Sequence, residues 1–221
     1  MARVQMSVLS EALSGHAGNV VFVDSKYGTL ARPRVKPTDP KSPAQMSMRS
    51  VFAEAARAYR KLDAQTHAKW QSYAGSQVKI QPTTGEAYHP RAIALFTALA
   101  GKRIQAGASL PASFAPPAGP WVPPNGAVSV TAIPGAIRLA SEPEPIPSNA
   151  RLELLLQPLP HELRKPVIPK MRTRAFLDLT LSPTVDVPVE PGVYGVAVRW
   201  IDLETGQSAP LEVLKNLSVP G

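Results

Sequence analysis

The sequence predicts an α+β fold with an N-terminal β-hairpin and small helical domain, a proline-rich linker, and a C-terminal antiparallel β-sandwich. Three observations predict it. Apolar residues recur at helical spacing between Ser42 and Ala100, and the period falls to two after residue 125. Between them, six of the fourteen residues from Pro111 to Pro124 are proline. The expected boundaries are therefore 1–110 for a basic hairpin-arm-helical domain, 111–124 for the linker and 125–221 for the sandwich.

The hairpin is read from β-branched Val20, Val21 and Val23 with Phe22, a turn around Lys26-Tyr27-Gly28, and a returning strand ending near Val35. Two short strands are marginal in water, so this element needs helices or a partner chain to lean on. Ser42-Pro43-Ala44-Gln45 then starts a helix. Ser42 is the N-cap, Pro43 occupies the first turn where no N–H is missed, and Gln45 closes a capping box. Met48, Phe52, Ala55, Tyr59 and Leu62 form its expected apolar stripe, with Arg49, Arg57, Arg60 and Lys61 on the opposite face. Asp63 caps a second helix in which His67, Trp70 and Tyr73 lie one turn apart and fold back on that stripe. A third helix is expected from Pro90 through Ala100, with Ile93, Phe96 and Ala100 inward and Leu99 beside them.

The run PASFAPPAGPWVPP predicts a semi-rigid polyproline II spacer about 40 Å long. Beyond it, strands are expected at 127–132, 136–140, 151–156, 174–181, 193–201 and 211–217. The clearest places Val193, Gly195, Ala197 and Arg199 on one face and Tyr194, Val196, Val198 and Trp200 on the other.

Composition narrows the function classes. The net charge of +8 is uneven: residues 1–110 hold 15 Lys+Arg against 6 Asp+Glu, whereas residues 111–221 hold 9 against 10. The basic excess points the first half at an acidic partner or a polyanion. With no cysteine there is no disulfide, Cys-ligated zinc or thiol catalysis. Ser10, Glu11, Ser14 and His16 interrupt the apolar run a cleaved leader requires. No apolar window of about 18 residues exists, so no membrane partner is expected.

Catalytic patterns fail at the first checks, and no catalytic residue, cofactor or metal is expected. Gly101-Lys102 lacks the rest of a phosphate loop, and neither a G-x-S-x-G elbow nor an H-E-x-x-H pair occurs. His16, His67, His89 and His161 are scattered, and Glu142 and Glu144 lie in the stiff loop SEPEPIPSN. The pattern that survives is a basic ribbon. Arg32, Arg34, Lys36 and Lys41 are set among Pro33, Pro37, Pro40 and Pro43, a stiffened arm with little entropy to lose on binding. With Arg49, Arg57, Arg60 and Lys61 these are the expected partner-binding residues.

Two resemblances add to this reading. Pro191-Gly192 before Tyr194, and Thr205-Gly206 after the strand, resemble the end of a fibronectin type III module, in which a tyrosine locks the corner. Leu152, Leu154 and Leu156 stand where such a module carries an early tryptophan. The N-terminal half, through NVVFV, YGTLARPRVKPTDPKSPAQ, RSVFAEAARAYRKL and WQSYA, is similar to a group of proteins encoded in bacteriophages and prophages. That group has a hairpin, an arginine-proline arm, a helix start of the form N-P-x-[ST]-x-x-Q-x-x-x-R and a helix pair ending in tryptophan; here Asp39 replaces the Asn and the pair ends at Trp70. The resemblance implies a non-enzymatic virion component of head or tail, made in the host bacterial cytoplasm. Its partners would be other virion structural proteins and copies of itself in a symmetric assembly, with the sandwich as a decoration or contact module. Nucleic acid is the alternative partner, through the basic helical domain. A third reading is a receptor- or sugar-binding module in the sandwich, using the loop from Gln157 to Arg172.

Overall fold

The computed structural model describes residues 2–3, 15–23, 29–35, 39–81, 84–124, 126–141, 146–180 and 182–221. The fold is α+β, with three helices and antiparallel sheets among the described residues. No described helix is long and apolar enough to cross a membrane. The chain divides into two compact units, Met1–Gln45 and Met46–Gly221.

The expected hairpin is part of a larger sheet in the first unit. Strands β1 (Ala2–Arg3), β2 (Gly15–Ala17), β3 (Val20–Val23) and β4 (Leu30–Pro33) pair in the order β1-β4-β3-β2. A two-residue connection, Gly18-Asn19, joins β2 to β3, and Gly18 supplies the positive φ of 56° that such a tight hairpin favours. The expected turn around Lys26-Tyr27-Gly28 lies outside the described residues. Among residues 15–23, 29–35 and 39–45 of this unit, Thr29 is the only buried one.

Helix α1 (Pro43–Arg60) begins as its sequence prescribes. The Gln45 N–H donates to Ser42 Oγ at 3.4 Å and the Ser42 N–H donates to Gln45 Oε1 at 3.3 Å, a reciprocal capping box. Its buried face differs from the expected stripe. Val51 joins Ala55 and Leu62 inside, while Phe52 is 52% and Met48 39% exposed. Val51 packs toward α3 (Ala92–Gln105), where its Cγ1 faces Gly101. The third helix also runs five residues past Ala100, to Gln105, and it buries Leu95 instead of Ile93, which is 37% exposed.

Helix α2 (Ala64–Ser76) is capped by Asp63, whose carboxylate accepts from the Thr66 N–H at 2.7 Å and the Thr66 hydroxyl at 2.8 Å. Those hydrogen bonds hold the Asp63 carboxyl below its ordinary pKa. The His67, Trp70 and Tyr73 ladder packs inward as expected. Trp70 is fully buried, and its ring meets Phe96, Tyr73 and Phe114 at centroid distances of 5.1, 5.8 and 5.8 Å. Each such aromatic pair adds roughly 0.5–1.5 kcal/mol beyond its buried area. A short ribbon of β5 (Lys79–Ile80) and β6 (Ala87–Tyr88) connects α2 to α3.

Phe114 explains why the compact units do not divide at the proline-rich run, where the sequence places a spacer. The Trp70 indole N–H donates to the Phe114 carbonyl at 2.8 Å, and the Phe114 ring is buried against Trp70 and Phe96. Farther along, the Gln207 side-chain amide donates to the Gly119 carbonyl at 3.0 Å. The run is thus stitched down at two points within the second unit.

Downstream, β7 (Val128–Ile133), β8 (Ala136–Ser141) and β11 (Thr184–Pro188) form one sheet in the order β11-β8-β7. The other sheet, β10-β9-β12-β13, is built from β9 (Ala150–Leu159), β10 (Arg172–Leu177), β12 (Gly192–Asp202) and β13 (Glu212–Val219). The two sheets bury a common apolar core that includes Val130, Ile137 and Leu139 from one, and Leu152, Leu154, Val196 and Val198 from the other. Strand β11 has no counterpart among the six expected strands. It is short, interrupted by Asp186 and closed by Pro188; it buries Val187 in the common core, and on its exposed face Arg138 Nε and Nη2 each donate to the Asp186 carboxylate at 2.8 Å across the ladder.

The β12–β13 connection is packed against α3. Gly206 has φ +74°, and a Cβ there would lie 2.1 Å from the Leu99 carbonyl oxygen. Gly206→Ala is therefore expected to destabilise by on the order of 3 kcal/mol, combining backbone strain with displacement of a helix carbonyl. Gly135→Ala, at φ +69° with open space around it, should cost only about 1 kcal/mol. Urea unfolding of the two variants checks the contrast, and equal losses would remove the claimed contact.

Candidate functional site

The sequence-predicted basic residues fall in both units. In the first, Arg32 lies on β4 opposite Val21, and the backbone N–H of Arg34 donates to the Asn19 carbonyl at 2.7 Å. Both side chains are exposed. Lys41 is also exposed and holds a φ of +47°, the one positive value among described non-glycine residues. The Asp39 carboxylate, accepting from the Lys41 N–H at 3.3 Å, supports that conformation between two prolines. Lys36 lies outside the described residues.

In the second unit, Arg49, Arg57 and Arg60 on α1 and Lys61 just past it are all exposed, on the arc opposite Val51, Ala55 and Leu62. Two of the four are brought to one concavity. Arg57 and Lys61 line an open groove of about 450 Å³ with Glu54, Ala58, Leu110 and Pro111. Arg57 is partly oriented already, since its Nε–H donates to the Ala53 carbonyl at 3.2 Å. A groove with two cations, a carboxylate and an apolar floor is equipped to bind acidic side chains.

A different set of ionisable groups forms the most tightly organised polar cluster. Glu153 on β9 is completely buried, facing away from the two-sheet core. Its carboxylate accepts from Arg199 Nε on β12, directly opposite in register, and from the Thr173 hydroxyl on β10 at 2.5 Å. Lys102 Nζ on α3 donates to both oxygens at 3.3 and 3.2 Å. Burial pushes the Glu153 carboxyl up, but the Arg199 and Thr173 hydrogen bonds and the Lys102 charge outweigh it and hold the group below its ordinary value. Lys102 is itself pulled below its ordinary value, by burial first and the Arg199 charge next, against the attraction of Glu153.

This cluster fits a structural role: three donors from three elements saturate one carboxylate. The signals that could have found it are sparse. Glu153 is the single charge within the run Leu152–Leu156, and Arg199 stands alone within the apolar strand from Val193 to Trp200. Only the pairing register reveals that the two face one another. Asp202 is likewise buried, and it accepts from Asn149 Nδ2 and from the backbone N–H groups of Glu204 and Thr205 at 3.0, 3.0 and 3.1 Å. That arrangement fixes the loop that meets α3.

Comparison with protein-family models, with curated proteins and with solved structures matched none of them to this chain.

Because the Glu153 carboxyl titrates below its unfolded value, its contribution is fully present above the unfolded carboxylate pKa and is lost as pH falls through the lowered folded one. Glu153→Gln should cost on the order of 3 kcal/mol at neutral pH by leaving Lys102 and Arg199 without a counter-charge. It should also flatten the acid limb of a stability-versus-pH curve. Chemical denaturation across pH tests both, and an unchanged acid limb would exclude Glu153 as its source.

Proposed function

We propose that the chain is a non-enzymatic structural component of a bacteriophage-like particle, in head or tail. Its first unit anchors to neighbouring subunits, and its two-sheet region serves as a fibronectin type III-like decoration or contact module. The observation that carries the reading is the exposure of strands β2, β3 and β4 in the first unit. No residue of β2, β3 or β4 is buried, and Val20 and Val23 are exposed, so these strands gain stability by packing against another chain. Arg32, Arg34 and Lys41 flank that sheet as cations for an acidic surface, and Arg49, Arg57, Arg60 and Lys61 offer a second such face. Other virion proteins, and further copies of the chain, are the partners this suits.

The module assignment is supported by strand order. Sheets β11-β8-β7 and β10-β9-β12-β13 over one core follow the two-sheet plan of the fibronectin class. Tyr194, near the start of β12, donates its hydroxyl to the Glu190 carbonyl at 3.0 Å, which is the tyrosine-corner bond.

A nucleic-acid reading is favoured by one observation: Phe52 is exposed on α1, the helix that carries the basic arc, as an apolar wedge would be. Salt dependence separates the two. The anchoring reading expects negligible affinity for random duplex DNA at physiological salt, whereas phosphate neutralisation gives an affinity that falls steeply with log salt.

In the isolated full chain, amides of β3 and β4 are expected to exchange with solvent far faster than those of β9 and β12, and to become protected in assembled particles. Mass-spectrometric inventory of purified particles should contain the chain. Its absence there, or an N-terminal sheet as protected alone as the central strands, would overturn the proposal.

A further inference from the structure

The connection between β9 and β10, residues 160–171, is built against hydrophobic expectation. Three anchors hold it to the outer face of the four-stranded sheet. Asn216 Nδ2 on β13 donates to the Glu162 and Arg164 carbonyls at 2.5 and 2.9 Å, and the Val167 N–H donates to Gln157 Oε1 at 2.6 Å. Pro166 lies over Gly195, where an added Cβ would sit 2.6 Å from the proline ring. Met171, buried with Leu155 and Ala197, closes the loop. Pro160, Pro166 and Pro169 stiffen it further.

A loop this well anchored could have turned its aliphatic side chains inward, yet it presents them to water. Leu163, at the tip of the His161–Arg164 turn, is 92% exposed, and Ile168 and Val167 are 56% and 39% exposed. Arg164, Lys165 and Lys170 are exposed among them, and among the described residues none forms an ion pair with a carboxylate. Glu162 is the one acidic residue between His161 and Arg172. Rigid aliphatic knobs ringed by unpaired cations match a surface that is anionic outside and apolar just beneath, the profile of an acidic lipid headgroup layer. The lack of any aromatic in the loop disfavours sugar stacking.

We propose that this loop docks the second unit peripherally on an anionic phospholipid surface, with Leu163 and Ile168 entering the headgroup–acyl boundary and Arg164, Lys165 and Lys170 contacting phosphates. This is a surface contact and requires no spanning segment. It engages a different unit from the anchoring sheet, so it stands or falls separately from the particle assignment.

The test is cosedimentation of the full chain with extruded vesicles of phosphatidylglycerol and phosphatidylcholine in equal parts, beside vesicles of phosphatidylcholine alone. Binding to the anionic vesicles only is expected, weakening with added salt. Leu163→Asp should lower the partition coefficient about ten-fold, from lost burial of one large aliphatic side chain. Lys165→Glu combined with Lys170→Glu should lower it further still, at roughly five-fold or more per cation. All these side chains are solvent-exposed, so thermal unfolding should be unchanged, which verifies that the variants remain folded. No binding to anionic vesicles overturns the proposal. So does binding that survives both sets of substitutions but is abolished by Arg32→Glu with Arg34→Glu, which would assign the contact to the arm.

Discussion

The second unit depends on one buried carboxylate. Glu153 sits on the side of the four-stranded sheet away from the main core, with no exposed surface, where an unpaired charge would be prohibitive. Its donors come from β10, β12 and α3, so satisfying the carboxylate places a helix over the sheet. Neighbouring contacts agree with that placement. Arg103, one residue along, donates to the Glu204 carbonyl at 2.7 Å, and Gly206 admits the Leu99 carbonyl. A polar network here specifies position, which a purely apolar contact would leave looser.

The outer face of that sheet is consequently covered in two ways. Near Glu153 the cover is α3 with the buried Asp202 loop, and around Gly195 and Ala197 it is the anchored β9–β10 connection. The helical core around Trp70 and Phe96 and the core shared by the two sheets therefore belong to one compact body, bridged further by the stitched-down proline run. The first unit stands in contrast, with regular strand pairing and no buried apolar side chain among residues 15–23, 29–35 and 39–45.

Local signals were the legible ones. The capping box at Ser42 and Gln45 and the inward Trp70 ladder formed as read, as did the alternation of Val196, Val198 and Trp200 against Ala197 and Arg199. Each is decided within one turn of helix or by the pleat of one strand. The α1 stripe was misplaced by about one residue because Val51 and Phe52 are both apolar and both compatible with helical period. The choice between them is made by packing against another helix, where Val51 Cγ1 faces Gly101. Strand β11 was hidden for a similar reason, since the β8 strand it pairs with and the core that buries Val187 are built from residues far away in the chain.

By itself the sequence determined the three helices, the α1 and α2 caps, the alternation of the Val193–Ile201 strand and the uneven charge, because these follow from propensity, spacing and side-chain chemistry along a short stretch. Only the tertiary structure decided that the proline run lies within the second unit, that Glu153 and Arg199 face each other, and that Leu163 points to water. Those outcomes hang on strand register and on contacts between residues far apart in the chain, for which local periodicity carries no information.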